Sequence, residues 1–544
     1  MGTVRHDGKE IELTVGKTLF DHADELQVQV PTSCGRTGTC HECIVEIKQG
    51  SEALSPRTDA ESFLSEPYRL ACQARLTNPD ADVAFSPLRR RPKILVSCGT
   101  VCEERDSPLV RREDGVYYDG EQIDRDRGRL YGIAMDLGTT TVVLELVDLE
   151  NGRVLCVSSF ENPQRFGGSD VMNRISYDGG PNRGELHKAI INALNHEVRS
   201  ICRRLRINRR EIYELVIAGN STMRDLFFGL DVQSIGQKPY KSAVEHEYLI
   251  GKRSTTSLLE TADKLGIHLN PKARVYGLPL VASHVGADTA ADLLAVDIES
   301  QEEVVMLVDI GTNTEVVVGH AGRMLSASCP AGPAFEGGLV KYGMPGCDGA
   351  IESVQIVDGR FQYRTIGDLP AQGICGSGLI DLLAELRRTG RMTPKGVFSD
   401  RAFEFTIVPE FNITFSRADA STLAQAKAAN YCGQLIVMRQ YGIGPMDVSK
   451  LYLAGGFANY VTVSNAVAIG FLAPVPEERI VKIGNAAVEG ARRALLSRKR
   501  RKSLENLVKK IEHVELETTP DFFDVFVDGC QFKPMPFEFS SVAV

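Results

Sequence analysis

Three of the chain's 13 cysteines crowd into PTSCGRTGTCHEC, and a fourth follows in RLACQ. Cys34, Cys40, Cys43 and Cys72 give the spacing C-x5-C-x2-C-x28-C. Three thiolates from one loop and one from a distance is how ferredoxins hold an iron–sulfur cluster. Zinc is the competing ligand of four cysteines, but its structural sites usually pair two short C-x2–4-C knuckles, and only one knuckle is present. The four thiols are therefore candidate ligands of an iron–sulfur cluster. Gly35 and Gly38 can supply the positive φ angles that a loop wrapped round a cluster needs. His41 lies between two ligands and reads as a solvated loop residue, because a Rieske centre takes two histidines. Cys98 and Cys102 form a C-x3-C, too few to hold a second cluster, and read as linker thiols.

A second chemistry is written twice. GIAMDLGTTTVVLELVD (132–148) is echoed by VVMLVDIGTNTEVVVGH (304–320). Each is an apolar strand, then D-x-G-T-x-T, then another apolar strand. A hairpin tip of glycine and hydroxyl residues offers N–H and O–H groups to an anion. Gly138 and Gly311 allow close backbone approach, while Thr139, Thr140, Thr141, Thr312, Asn313 and Thr314 carry polar side chains. Asp136 and Asp309, at strand ends, can orient Mg2+ directly or through water. Two such turns facing each other could clamp the β- and γ-phosphates of a nucleotide. LYLAGGFANY (451–460) adds a strand, then Gly455-Gly456, then a helix. In CPAGPAFEGG, Glu336 either orients the attacking water or is a carboxylate favoured at a helix start. Neither a Walker A sequence nor a Rossmann glycine motif after a strand is present.

The elements that would position these residues are legible from pattern. Thr3–Val4 and Ile11–Val15 form a hairpin turning at Asp7-Gly8. Thr18–Glu25 reads as a short helix and Ile44–Lys48 as an alternating strand. Together they suggest a β-grasp over residues 1–85. Residues 86–128, with a basic start, mixed charge and Pro/Gly content, read as a linker with a little structure of its own. From 129 the chain alternates apolar strands with amphipathic helices such as Glu185–Leu205, Leu379–Arg388 and Leu423–Gln440. The repeated turn divides it into halves at 129–300 and 301–544. AGNSTM (218–223) and GICGSGLIDLL (373–383) read as glycine-containing strand-to-helix turns, and GNAAVEGA (484–491) suits close helix packing.

Composition sets the frame. The 544 residues are 43% apolar and 24% charged, as expected of a multidomain globular chain. Lys and Arg number 62 against 71 Asp and Glu, a net charge of −9, which argues against bulk nucleic-acid binding. RKRRKSLENLVKK (498–510) reads as a solvated helix face that could dock an acidic partner. No apolar run is long enough to span a membrane, and the first residues lack a signal-peptide core. The odd cysteine count fits free thiols or ligands in a reducing compartment, so the expected location is cytoplasmic.

The repeated turns and the GGF segment resemble the two phosphate loops and the adenosine motif of the actin/hexokinase/Hsp70/acetate-kinase superfamily. Ferredoxin, linker and ATPase core in this order resemble the reductive activators of corrinoid-dependent methyltransferases. The strings NPQRFGGSDVMNRI (162–175), AGNSTM, PLVASHVGADTAA (279–291), DIGTNTE, AGPAFEGG, AGGFA and GNAA carry that likeness along nearly the whole chain. It implies an α/β fold: a β-grasp 2Fe–2S ferredoxin domain followed by a two-lobed, actin-like (RNase H-like) ATPase core. It implies one-electron, ATP-driven return of Co(II) corrinoid to Co(I), with an upstream electron donor and a dimeric state for which the sequence shows no interface signature. A corrinoid-binding D-x-H-x-x-G string is absent, and His284 in SHVGAD does not supply one. The corrinoid is therefore expected on a partner protein. Cys329, where a related activator family carries a cluster ligand, reads here as a buried thiol. A ferredoxin-type carrier with a non-coupled nucleotide scaffold, and a small-molecule kinase with an appended ferredoxin, are the competing readings.

Overall fold

The computed structural model describes residues 2–88, 107–399, 402–456 and 458–537. Cys98 and Cys102 lie outside the described residues.

The first hairpin forms as Thr3–His6 against Lys9–Glu12, turning at Asp7-Gly8, both at positive φ. Its second strand ends at Glu12, short of the expected Val15. Thr18 then caps the helix Leu19–Glu25 reciprocally with Asp21. The five-stranded sheet runs in the order Lys9–Glu12, Thr3–His6, Val83–Pro87, Ile44–Gln49, Tyr68–Leu70. The helix buries Leu19, Phe20 and Ala23 in the core of this domain. This is a β-grasp, and its last strand runs past residue 85.

Residues 110–125, read as linker, contain a three-stranded antiparallel sheet: Val110–Arg112, Gly115–Tyr118 and Glu121–Arg125. Val110, Val116, Tyr118 and Ile123 are buried in the same core as Val143, Tyr213 and Tyr276. Asp119-Gly120 turns between the second and third of these strands.

The two D-x-G-T-x-T segments sit in sheets of matching topology. In the first lobe, Val154–Glu161, Thr141–Asp148 and Tyr131–Leu137 form an antiparallel meander, which Ile212–Ala218 and Arg274–Gly277 extend in parallel. In the second, Arg323–Cys329, Thr314–His320 and Val305–Ile310 form the meander, extended by Lys450–Ala454 and Ile480–Gly484. The internal strands are buried on both faces, which explains their nearly continuous apolar runs. The lobes differ at both edges: Leu258–Thr261 adds antiparallel beside Arg274–Gly277 in the first sheet, whereas Ile511–His513 adds in parallel beside Arg323–Cys329, at the opposite edge of the second.

Helix Ala486–Leu496 ties the lobes together by crossing the helix Ala287–Ala295 of the first. At the crossing, a Cβ on Gly490 would stand 1.9 Å from the Ala291 carbonyl oxygen, so only glycine fits. The basic helix Arg498–Leu507 is only partly a solvated face. Arg498, Lys499 and Lys502 point outward, but Arg501 is buried and pairs with buried Glu214 at 2.8 Å. Among the described residues no helix is long and apolar enough to cross a membrane.

The β-grasp domain is seated on the first lobe. Arg165 pairs with Glu46 at 2.9 Å, Tyr177 donates to the Phe63 carbonyl at 2.6 Å, and Asn192 donates to the Cys40 carbonyl at 3.1 Å. His41 is not a free loop residue: its ring stacks on Phe63 at 4.1 Å and pairs with Glu185 at 2.6 Å.

Candidate cluster loop and interlobe nucleotide cleft

The cysteine loop folds as its glycines suggested, with Gly35 and Gly38 at φ 65° and 85°. A Cβ at Gly38 would press on Ala60 and Gln73 at 3.0 Å, so this position demands glycine twice over. Arg36, also at positive φ, anchors the loop to the first helix through Asp21 and Asp24 and lies over the Phe20 ring.

The four thiols sort into two pairs. Cys43 and Cys72 are buried with sulfurs 3.4 Å apart, while the Cys34 and Cys40 sulfurs both lie 3.9 Å from Thr32 Oγ1. Among the described residues, no three His, Cys, Asp or Glu side chains gather round a single ion position. Two pairs suit two irons better than one tetrahedral ion. Burial opposes ionisation of Cys34, yet hydrogen bonds from Thr37 and Cys40 bring its thiol down to about 4. Cys72 is drawn down to about 7, first by the hydrogen bond that Cys43 donates to it. Cys34 and Cys72 thus favour thiolate, the ligand form, whereas Cys43 is pushed up by the hydrogen bond it donates to Cys72 and by its burial.

A cleft of about 1120 Å3, its open mouth included, lies between the lobes. It is lined by Asp136, Gly138, Thr139, Thr140 and Thr141 from one turn and by Asp309, Gly311, Thr312 and Asn313 from the other. Glu336, Gly455 and Gly456 complete the predicted set. Thr314 does not line it; it opens the strand Thr314–His320 and is buried within the meander. The turns touch: the Thr140 and Thr312 hydroxyls are 3.3 Å apart, and both donate to Glu336 Oε2. Glu336 belongs to a single 3-10 turn, Pro333–Glu336, as its first-turn acid and its last residue at once. Gly455, at φ 108°, has no room for a side chain: a Cβ would meet the Ile310 carbonyl oxygen at 2.1 Å. The segment after Gly455-Gly456 is a 3-10 turn, Ala458–Tyr460, before the helix Val463–Ala468.

Carboxylates dominate the cleft floor. Burial pushes Asp136 up to about 7, against a hydrogen bond from Asn485 Nδ2 at 2.7 Å. Burial and the nearby Asp288 push Asp309 to about 7 as well. Asp288 itself is raised to about 6 by burial, and burial lifts Glu336, Asp292 and Glu315. Sequence reasoning assigned no role to Asp288, Asp292, Glu315 or Asn485. Asp288 and Glu315 stand inside quoted strings, but a lone acid gives no sign of which way it faces. Asn220, in the AGNSTM strand-to-helix turn, caps Ser221–Phe227 and donates to Thr139 Oγ1 at 3.0 Å. Cys329 is fully buried, as expected of a structural thiol.

A β-grasp cluster domain joined to an ATPase core of duplicated lobes defines the class: an iron–sulfur protein with an ASKHA-type nucleotide cleft. Known proteins agree. Residues 4–77 match a model for the 2Fe–2S iron–sulfur cluster binding domain. Residues 131–301 match the RACo middle region, and 303–543 match the C-terminal domain of RACo, the ASKHA domain. The chain belongs to the RACo family, whose two models run almost without a break over well over half of it. The corrinoid activation enzyme RamQ of Eubacterium limosum is 28% identical, covering 96% of this chain and 98% of its own. A Methanosarcina barkeri reductase of the Co(II) methylated amine-specific corrinoid protein is 24% identical over 75% of this chain and 78% of its own. A solved structure of a reductive activator for a corrinoid, iron–sulfur protein superposes with TM-score 0.71 at 28% identity, covering 98% and 99% of the two chains.

Proposed function

We propose that this protein is an ATP-dependent reductive activator, which delivers one electron to the inactive Co(II) corrinoid of a partner protein and restores Co(I). The observation that carries the reading is the seating of a cysteine loop with two thiol pairs on the lobe that contributes half of a two-turn nucleotide cleft. The plain electron-carrier reading leaves the paired turns without a task.

A 2Fe–2S cluster at Cys34, Cys40, Cys43 and Cys72 supplies a one-electron donor of low potential. Gln73 donates to the Cys72 sulfur at 3.3 Å and would stabilise negative charge there. In the cleft, Thr140 and Thr312 present hydroxyls from opposite lobes, where they would hold phosphate oxygens and draw the lobes together. Gly138, Thr139, Thr141, Gly311 and Asn313 shape the turns round them, and Gly455-Gly456 leaves space for the nucleoside. Mg2+ belongs beside Asp136 and Asp309: a cation there relieves the mutual repulsion that burial makes costly. Glu336, bonded to both threonine hydroxyls, is the group placed to orient a water. Nucleotide acts by biasing lobe closure, since it shifts an equilibrium only through unequal contacts with the two states.

Paired substitutions test the division of labour. Asp309→Ala should abolish ATP-dependent activation while leaving the visible cluster spectrum and iron content intact. Cys72→Ser should do the converse, losing the spectrum while Mg-ATP still binds. Full activation by Asp309→Ala would overturn the assignment of the second turn.

A further inference from the structure

The string NPQRFGGSDVMNRI is the part of the sequence that neither the cluster nor the cleft absorbs, and it lies between them. At one end it grips the backbone of the first nucleotide turn. Asn162 donates from its side chain to the Gly138 carbonyl at 2.8 Å and from its backbone to the Thr140 carbonyl at 2.7 Å. The Thr139 carbonyl takes a 2.7 Å bond from the buried guanidinium of Arg174, whose Nε holds the Gly168 carbonyl at 3.0 Å. The consecutive carbonyls of Gly138, Thr139 and Thr140 are thus all held by this segment.

At its other end the same segment holds the β-grasp domain. Arg165 binds Glu46, and the Phe166 ring meets Phe63 edge-on at 5.8 Å. Tyr177 follows Arg174 by three residues on the helix Val171–Asp178, so the two share a face. Tyr177 donates to the Phe63 carbonyl, and the Phe63 ring stacks on His41, which stands between ligands Cys40 and Cys43. Only a few side chains separate the nucleotide turn from the cluster loop.

We infer that residues 162–178 couple the two sites, with Asn162 and Arg174 as positioning residues: seating the cluster domain orders the turn at 138–141 for nucleotide, and nucleotide in turn tightens the seat. The inference rests on reading that turn as a phosphate site. A turn already held in shape binds at lower cost than one that must be ordered, and linkage makes the effect reciprocal. The bonds that seat the domain are the ones to remove, because they touch neither ligand.

The test uses the full-length, cluster-loaded protein and the double variant Arg165→Gln/Tyr177→Phe, with Mg2+ and the non-hydrolysable analogue AMPPNP. Cluster absorbance and iron content report that the variant is folded. Tyr177→Phe alone, which removes one hydroxyl, should give the same sign if the pair fails to fold. The variant should bind Mg-AMPPNP at least about five-fold more weakly. In the wild type, Mg-AMPPNP should slow amide exchange over residues 39–46 and 185–192, and in the variant it should not. Equal affinities with unaltered exchange at the seam would overturn the coupling while leaving the nucleotide reading in place. No binding of Mg-AMPPNP to the wild type would overturn both.

Discussion

At the scale of single residues, the cleft sets a charge problem. Asp136 and Asp309 titrate near 7, against about 3.9 for a free aspartate. Between these values the folded chain keeps protons that the unfolded chain has released. The stability drawn from the pair is therefore complete below about pH 4 and is lost as pH rises through about 7. With Mg2+ placed beside Asp136 and Asp309 as proposed, its binding with nucleotide should run the other way, because it needs the ionised carboxylates. Mg-ADP affinity should rise by about ten-fold between about pH 6 and about pH 8 if one of the pair must lose its proton, and Asp309→Asn should flatten the profile. A flat profile in the wild type, read by calorimetry, would contradict this account. Motif reading found the residues at the turn tips because their spacing is repeated. Missing Asp288 and Asn485 has a physical reason: each reaches the cleft from a helix start whose direction depends on packing across the lobes. Thr314 shows the reverse error, a motif residue turned into the sheet.

At the scale of elements, local rules carried far. Helix Glu185–Leu205 begins and ends where its periodicity predicted, and both D-x-G-T turns join the strands expected of them. Composition failed at residues 110–125, where a run of charge and turn residues conceals four buried side chains, of which only Val116 and Tyr118 stand at alternate positions. Gly490 is the element-scale feature with the clearest consequence. The sequence suggested close packing there, and the helix crossing against Ala291 leaves no space for a methyl group. Gly490→Ala forces overpacking, and similar insertions cost about 1–3 kcal/mol. The expected outcome is a lower melting temperature together with weaker nucleotide binding, because the displaced helix starts beside Asn485, the partner of Asp136. A variant with unchanged melting and binding would show that the crossing relaxes without cost.

At the scale of the whole molecule, order along the chain announced a cluster domain followed by a duplicated ATPase core. Their seating against each other was not legible. The His41–Glu185 and Arg165–Glu46 pairs join residues more than a hundred positions apart, and a histidine between two cysteines reads in sequence as a loop residue. Seating matters for the reaction, because a cluster held on the ATPase core can respond to nucleotide, whereas a freely tethered one responds only to concentration. The most direct measurement follows a purified Co(II) corrinoid protein by absorbance without oxygen, adding this protein with its cluster already reduced, with and without Mg-ATP. The account predicts that the Co(I) band appears only with Mg-ATP. Co(I) formed equally well without nucleotide would contradict it.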